Sequence, residues 1–165
     1  MEMNYCMQCG AKLHLKAHET EGMVPFCDAC GAFRYPVFNT AVSMIVMNEA
    51  RDRVLLIQQY GRPFYVLVAG YVNKGEDAEA AAAREVREEL GLTVSSLCFN
   101  HSHYFAPSNT LMLNFTVTVD DSLAHPNQEV DAWRWFSIRE ARENIKPGSL
   151  AAAFLNGYFD GTYPF

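Results

Sequence analysis

From about residue 40 onward, apolar positions recur with two different periods. An alanine-rich run with helical spacing predicts a helix over 77–90, and Gly91 supplies its stop signal. Shorter helical patterns cover 137–145 and 148–159. Apolar or alternating runs bounded by turn residues predict strands at 40–48, 53–60, 64–70, 93–105, 111–119 and 129–137. This mixture indicates an α+β fold with a mixed sheet between helices.

Residues 1 to about 35 have a different texture, because they hold four of the five cysteines and little continuous hydrophobic sequence. We therefore predict a small appendage over 1–35 and a main domain over 36–165. The whole chain has 165 residues and is 50% hydrophobic, which suffices for one sizeable core and argues against disorder.

Charge and hydropathy narrow the partners and the location. The formal net charge of −6 gives no electrostatic footprint for nucleic acid or for an anionic membrane surface. A single phosphorylated ligand is compatible with that charge when a metal cation mediates the contact. No run of about eighteen apolar residues is present, so no transmembrane helix is expected. The sequence begins with neither a basic stretch nor an apolar run, so we expect no secretory signal and a cytoplasmic protein.

Two C-x-x-C-G motifs, CMQCG and CDACG, have the spacing of a zinc site. Four thiolates leave no open position on a tetrahedral ion, so the predicted site is structural. Two disulfides, which are rare in cytosolic chains, or thiols without metal are the alternatives. We expect His14 and His18 at the surface and Cys98 as a small buried residue. The predicted ligands are Cys6, Cys9, Cys27 and Cys30.

Three carboxylates crowd the predicted helix over 77–90. On a helical wheel, Glu88 and Glu89 fall within about 60° on either side of Glu85. Such like charges cost roughly a few tenths of a kcal/mol in water. A hard divalent cation such as Mg²⁺ or Mn²⁺ would relieve the repulsion. A solvated charged face is the competing interpretation.

The stretch from Gly70 to Leu92 resembles the signature of the Nudix hydrolases, G-x5-E-x7-R-E-U-x-E-E-x-G-U, where U is a bulky aliphatic residue. The resemblance implies an α/β/α sandwich and metal-dependent attack of water on the diphosphate of a nucleoside diphosphate linked to a group X. Members are often homodimers, so a homodimer is the assembly that the resemblance suggests. The fixed positions are Gly70, Glu76, Arg84, Glu85, Val86, Glu88, Glu89, Gly91 and Leu92.

The same resemblance implies roles for individual residues. Glu85, Glu88 and Glu89 would bind Mg²⁺ or Mn²⁺ together with the main-chain carbonyl of Ala69. Glu76 and Arg84 would form an ion pair that joins the loop to the helix. Metal-bound water has a lowered pKa, and a neighbouring glutamate can take its proton, so either Glu88 or Glu89 is the expected base.

A cysteine ribbon directly before a Nudix domain resembles the NADH pyrophosphatase group of this family. That likeness suggests that Tyr35 stacks on the substrate base, that Glu129 is a further metal ligand, and that Ala151 lies near the substrate. The loop Ser102–Met112 lacks the S-Q-P-W-P-F-P array of the group but keeps aromatic residues and a proline. The candidate substrate residues there are His103, Tyr104, Phe105 and Pro107.

Several functions stay open on the sequence alone. NADH or NAD would give AMP and nicotinamide mononucleotide. ADP-ribose is the alternative substrate, because Pro107 follows Gly91 at a spacing also seen in ADP-ribose pyrophosphatases. A non-catalytic nucleotide-sensing module is a second alternative, and RNA binding through the poorly basic ribbon is a third. Tyr104 and Phe105 could instead pack in the core.

Overall fold

The computed structural model describes residues 3–120 and 123–165 of the chain. These residues form two compact units, Met1–Asn39 and Thr40–Phe165. In the described part of the chain, no helix is long and apolar enough to cross a membrane.

The first unit is a small three-stranded antiparallel sheet with the order β1-β2-β3. Its core is thin, with Cys6, Val24, Phe26 and Cys27 as its buried apolar residues among those described. The sequence patterns did not predict these strands, because they are short and only β2 contains buried residues. The strands are β1 (His14–His18), β2 (Gly22–Cys27) and β3 (Ala32–Phe33).

The second unit is an α/β/α sandwich built on one mixed sheet, as predicted. The sheet has the order β7-β8-β4-β5-β9, and β6 pairs with β4. Its strands are β4 (Asn39–Met47), β5 (Arg53–Gln59), β6 (Val68–Tyr71), β7 (Val94–Phe105), β8 (Thr110–Val119) and β9 (Val130–Ser137). The helices are α1 (Ala78–Leu90), α2 (Ile138–Asn144) and α3 (Leu150–Asp160).

Two hydrophobic layers cover the two faces of this sheet. On β4, Val42, Met44 and Val46 pack in the layer beneath α1. Ile45 and Met47 pack in the opposite layer with residues of α2 and α3. Because both faces are buried, the central strands are continuous apolar runs rather than alternating ones.

Helix α1 has clear local causes. Alanines favour the helix, and Ala81, Ala82, Val86 and Leu90 are buried along one face. Gly91 ends it in the left-handed conformation at φ 67°, where its N–H donates to the carbonyl of Arg87.

Two expectations need correction. The strand predicted over 64–70 begins only at Val68, because residues 65 and 66 make isolated bridges to Ile145 and Ile57. Cys98 is exposed rather than buried. It lies on the edge strand β7, next to Leu97, which packs in the layer beneath α1.

Candidate active site and metal sites

Strand β6 and helix α1 approach each other closely at Gly70. A methyl group at this position would overlap the carboxylate of Glu85. Only a glycine therefore lets the Glu85 carboxylate lie against the strand, directly after Ala69. This steric requirement explains why the sequence signature has a glycine at this position.

Arg84 joins the loop before α1 to the acidic edge of the helix. Its Nε and Nη2 atoms donate to the two carboxylate oxygens of Glu76 at 2.7 and 2.9 Å, which is a bidentate ion pair. Its Nη1 donates to Glu85 at 2.7 Å and to Glu88 at 3.0 Å. Nη2 also donates to the carbonyl of Tyr71 at 3.0 Å. Arg84 therefore fixes the loop and neutralises part of the acidic edge at once.

Glu76 is held in its charged form by these contacts. The Arg84 guanidinium, together with the backbone N–H of Asn73, lowers the pKa of Glu76 from 4.5 to about 2. The Asn73 N–H lies 3.0 Å from Oε2. The tight loop 73–76 is thus tied to the helix by a charged side chain.

Glu89 differs sharply from the other two glutamates of the helix. It is 3% exposed, and the side-chain amide of Gln59 donates to its Oε2 at 2.8 Å. Burial and then the charges of Glu85 and Glu129 raise the pKa of Glu89 to about 8. Glu129 therefore lies within electrostatic reach of Glu89, although 40 positions separate them in the sequence.

The three glutamates, which we call the glutamate cluster, are therefore not equivalent. The Glu85 side chain is 13% exposed and the Glu88 side chain 53% exposed. The sequence placed all three on one carboxylate edge and gave no sign of this gradient. Gln59, which donates a hydrogen bond to the buried Glu89, was missed because no sequence motif marks it.

A pocket of about 190 Å³, which we call the Ala151 pocket, lies on the α3 side of the sheet. Gln59 lines it, so the pocket is directly linked to Glu89 through the hydrogen bond above. The volume is enough for one ring rather than for a whole dinucleotide. Its lining residues are Ser43, Gln59, Val66, Leu67, Ala69, Met112, Leu150, Ala151 and Phe154.

The remaining candidate substrate residues are spread over several places. Tyr104 is 44% exposed and donates its hydroxyl to Asn109 at 2.7 Å, so it is not a core residue. His103 stacks on Phe165 with ring centroids 4.0 Å apart. Phe105 is half-buried at the end of β7, and Pro107 is exposed in the following 3₁₀ turn. Tyr35 is 52% exposed in the first unit.

The four cysteines of the first unit converge to a compact group. Their Sγ atoms all lie within 4.8 Å of one another, and Cys6–Cys30 and Cys9–Cys27 are separated by 3.9 and 3.5 Å. Zinc with Zn–S bonds of about 2.3 Å requires tetrahedral edges of about 3.8 Å, so the geometry fits the ion. All four thiols are free rather than disulfide-bonded.

The surroundings of the thiols differ: burial raises the pKa of Cys27, and the neighbouring Cys9 thiol together with burial raises the pKa of Cys30 to about 12. The Nε of Arg34 lies 3.2 Å from Cys6 Sγ and lowers the pKa of that thiol to about 6. His14 faces Asp28 at 3.3 Å, and His18 packs edge-on against Phe33. In residues 3–120 and 123–165, these four cysteines form the one group of His, Cys, Asp or Glu that meets this convergence.

An acidic helix that packs against a glycine of the neighbouring strand, within an α/β/α sandwich, defines a Nudix-type hydrolase fold. The family model of the NUDIX domain matches residues 37–154. This chain belongs to the Nudix family, which confirms the predicted family.

Curated relatives carry the name NAD-capped RNA hydrolase NudC. The protein from Stutzerimonas stutzeri is 34% identical over 137 residues, which are 81% of this chain and 48% of the relative. The protein from Vibrio atlanticus is 27% identical over 161 residues, covering 96% of this chain and 58% of the relative. The chain thus spans about half the length of the curated relatives it matches.

Solved structures agree on the fold. A NUDIX hydrolase from Nitrosomonas europaea superposes with a TM-score of 0.62 at 22% identity, over 99% of this chain and 96% of that one. MutT from Aliivibrio salmonicida and Vibrio cholerae gives a TM-score of 0.59 at 22% identity, over 67% of this chain and 89% of that one.

Proposed function

We propose that this protein hydrolyses the diphosphate bond of a nucleoside-diphosphate-X substrate in a reaction that depends on Mg²⁺ or Mn²⁺. NADH or NAD is the proposed substrate, and AMP and nicotinamide mononucleotide are the products. The observation that carries the proposal is the undamaged glutamate cluster, with Glu85 packed on Gly70 and Arg84 bridging to Glu76.

The donor set suits a hard divalent cation. Carboxylate oxygens and a backbone carbonyl are the ligands that Mg²⁺ and Mn²⁺ prefer. Glu85, Glu88 and Glu89 would hold the ion with the carbonyl of Ala69, and Glu129 would add a further carboxylate. Burial and the charges of Glu85 and Glu129 raise the pKa of Glu89, and a cation would remove the repulsion between these charges. When bound, the metal neutralises the diphosphate and lowers the pKa of water.

The side chains divide the remaining work. Glu89, buried and oriented by Gln59, is in a position to accept a proton from the attacking water. Arg84 and Glu76 act as positioning residues, since their ion pair holds the loop 73–76 on the helix. Ala151 and Gln59 line the pocket that would take one ring of the substrate. Tyr35, His103, Tyr104, Phe105 and Pro107 stay candidate substrate residues.

Two lines of support favour a dinucleotide substrate. The relatives are named for hydrolysis of NAD-capped RNA, whose cap contains this diphosphate. The four-cysteine unit resembles that of the NADH pyrophosphatase group. The Ala151 pocket is large enough for one ring and does not discriminate between NADH and ADP-ribose. ADP-ribose shares the ADP half and is the alternative substrate.

We also propose that Zn²⁺ is held by Cys6, Cys9, Cys27 and Cys30 and has a structural role. The tetrahedral fit of the Sγ atoms supports this assignment. The small core of this unit makes a folding contribution from zinc necessary. RNA binding by this unit has weak support, because Arg34 contacts Cys6 and Gln8, and Lys16 lies over Phe26.

The test is a substrate panel with product identification in Mg²⁺ and in Mn²⁺. It contains NADH, NAD, ADP-ribose and NAD-capped RNA. We expect AMP and nicotinamide mononucleotide from NADH, and a loss of kcat of about 10³-fold in Glu89→Gln. The matched control is Glu79→Gln, which removes an exposed carboxylate from the first turn of the same helix.

The outcomes separate the competing functions. Equal activity in wild type and Glu89→Gln would contradict the catalytic assignment. Saturable nucleotide binding without turnover in any member of the panel would identify a nucleotide-sensing module. Cleavage of ADP-ribose but not of NADH would identify ADP-ribose as the substrate.

A further inference from the structure

The segment after α3, residues 161–165, carries two aromatic side chains that stack on two histidines of β7. Tyr163 stacks on His101 with centroids 4.2 Å apart and planes at 9°. Phe165 stacks on His103 with centroids 4.0 Å apart and planes at 22°. These four side chains, which we call the aromatic wall, form two parallel pairs side by side.

A β-bulge aims the two histidines at this side of the sheet. The register of β7 against β8 shifts between Phe99 and His101. Before the shift, Leu97 packs beneath α1, and alternation alone would send His101 to that same side. The extra residue at Asn100 reverses the facing, so that His101 meets Tyr163 instead.

Buried hydrogen bonds hold the bulge in place. The Asn100 amide donates to Asn114 at 2.8 Å and to Thr116 at 2.9 Å. Asn114 is fully buried and donates to the carbonyl of Ser43 at 3.0 Å. Ser43 is also a lining residue of the Ala151 pocket. These hydrogen bonds therefore connect the bulge that orients the two histidines to a lining residue of the Ala151 pocket.

The wall also adjoins the Ala151 pocket directly. Phe154 lines the pocket and contacts Phe165 edge-to-face, with centroids 5.3 Å apart. Met112 lines the pocket as well and is the register partner of His103. Phe165 is 46% exposed, whereas most residues around it are buried or half-buried. An aromatic ring is thus presented at the edge of a pocket sized for one ring.

A glycine makes room for this arrangement. A methyl group at Gly157 of α3 would overlap the ring of Tyr163. Glycine inside a helix is destabilising relative to alanine. At this position the absence of a side chain lets Tyr163 lie on the helix and align with His101.

We propose that the aromatic wall is a specificity-determining element and that Phe165 stacks on a planar heterocycle of the substrate at the mouth of the Ala151 pocket. The inference rests on the proposed function, because it concerns the same site. It adds a recognition surface whose two rings from the segment after α3, Tyr163 and Phe165, lie outside the signature and outside the loop Ser102–Met112. Stacking on an aromatic face selects a flat ring without requiring hydrogen bonds to it.

The test compares Phe165→Ala and Phe165→Tyr with wild type, using NADH and ADP-ribose as substrates. These molecules share adenine and differ by the nicotinamide ring. We expect Phe165→Ala to raise KM for NADH about tenfold with kcat unchanged, and Phe165→Tyr to restore the wild-type KM. A parallel rise for ADP-ribose identifies adenine as the stacked ring, and a rise for NADH alone identifies nicotinamide.

A second variant and a binding measurement keep the test independent of turnover. Gly157→Ala should displace Tyr163 and raise KM in the same direction. Kd values measured with zinc retained and without added Mg²⁺ or Mn²⁺, by nicotinamide fluorescence for NADH and by calorimetry for ADP-ribose, should follow the KM changes. The control is Phe99→Ala, which removes a half-exposed ring from β7 before the bulge.

The possible failures are distinguishable. If wild type turns over no substrate but Phe165→Ala weakens binding in the absence of added Mg²⁺ or Mn²⁺, the proposed function is contradicted and the proposed role of the aromatic wall is retained. If wild type is active and Phe165→Ala changes neither KM nor Kd for either substrate, the proposed role of the aromatic wall is contradicted and the proposed function is retained.

Discussion

The molecule contains two clusters of candidate metal-binding side chains that are organised in opposite ways. In the first unit, four sulfur atoms converge from two turns to within 4.8 Å of one another. In the second unit, three carboxylates come from one helix and range from a nearly buried Glu89 to a half-exposed Glu88. Arg84 and Gln59 occupy hydrogen-bonding positions among these carboxylates.

The difference reflects what each site has to do. A zinc ion held by four sulfur atoms would have no position for water or substrate, so it would contribute only stability. The glutamate cluster is open on the side of Glu88 and is supported from behind by neighbours that do not bind metal. Such supporting contacts orient ligands while the exposed side stays free to exchange water and substrate.

The largest expected effect comes from breaking the closed site. Cys27→Ser removes a buried ligand, so we expect loss of about one zinc per chain and unfolding of the first unit. Metal analysis measures the zinc, and hydrogen exchange over 14–27 measures the unfolding. Protection of α1 should persist. The control is Cys98→Ser, an exposed cysteine of β7. Full zinc occupancy in Cys27→Ser would contradict the four-cysteine assignment.

An intermediate effect is expected from a substitution at the glycine that packs behind the glutamate cluster. Gly70→Ala introduces a methyl group that overlaps the Glu85 carboxylate, so the carboxylate must move. Displacement of a catalytic group by about 1 Å can reduce the rate about 10²-fold, and we expect a loss of kcat of that order. Zinc content should not change, because the substitution leaves the cysteines untouched.

A double-mutant cycle identifies the collision as the cause. The free energy of unfolding is measured for Gly70→Ala in the wild-type and Glu85→Ala backgrounds. The destabilisation should shrink markedly when the Glu85 carboxylate is absent. An equal destabilisation in both backgrounds would show that Gly70 is needed for another reason.

The predictability of the fold followed the strength of local signals. Helix α1 was predicted within one residue, because an alanine run, a buried face and a capping glycine agree. The central strands β4 and β5 were found because burial on both faces makes them continuously apolar. Strands β1 to β3 were missed, since they are short and only β2 contains buried residues, so no apolar pattern marks them.

The candidate site was predictable only where one segment carries it. The resemblance of 70–92 to the Nudix signature implied that Glu76 and Arg84 form an ion pair, and the two side chains do meet. The contact between Gln59 and Glu89 joins strand β5 to α1, and no local pattern encodes it. The same holds for the bulge at Asn100, which depends on partners in β8. Tertiary contacts thus decide which glutamate is buried and which way the histidines face.

The smallest effect concerns the ion pair that supports the open site, and it depends on pH. The folded pKa of Glu76 is about 2 against an ordinary value of 4.5. A lowered folded pKa stabilises the protein above pH 4.5, and this stability is lost as the pH falls from 4.5 toward 2. Glu76→Gln should therefore be less stable than wild type at neutral pH and should lose less stability on acidification over that range.

Tryptophan fluorescence during urea unfolding isolates this effect from the zinc site. Both tryptophans of the chain, Trp133 and Trp135, lie in β9 of the second unit, so loss of zinc from protonated thiols does not dominate the signal. Glu79→Gln, which removes an exposed carboxylate nearby, should keep the wild-type dependence on pH. An unchanged acid slope in Glu76→Gln would show that Arg84 does not hold Glu76 in its charged form, and the contrast between the two sites would lose its electrostatic basis.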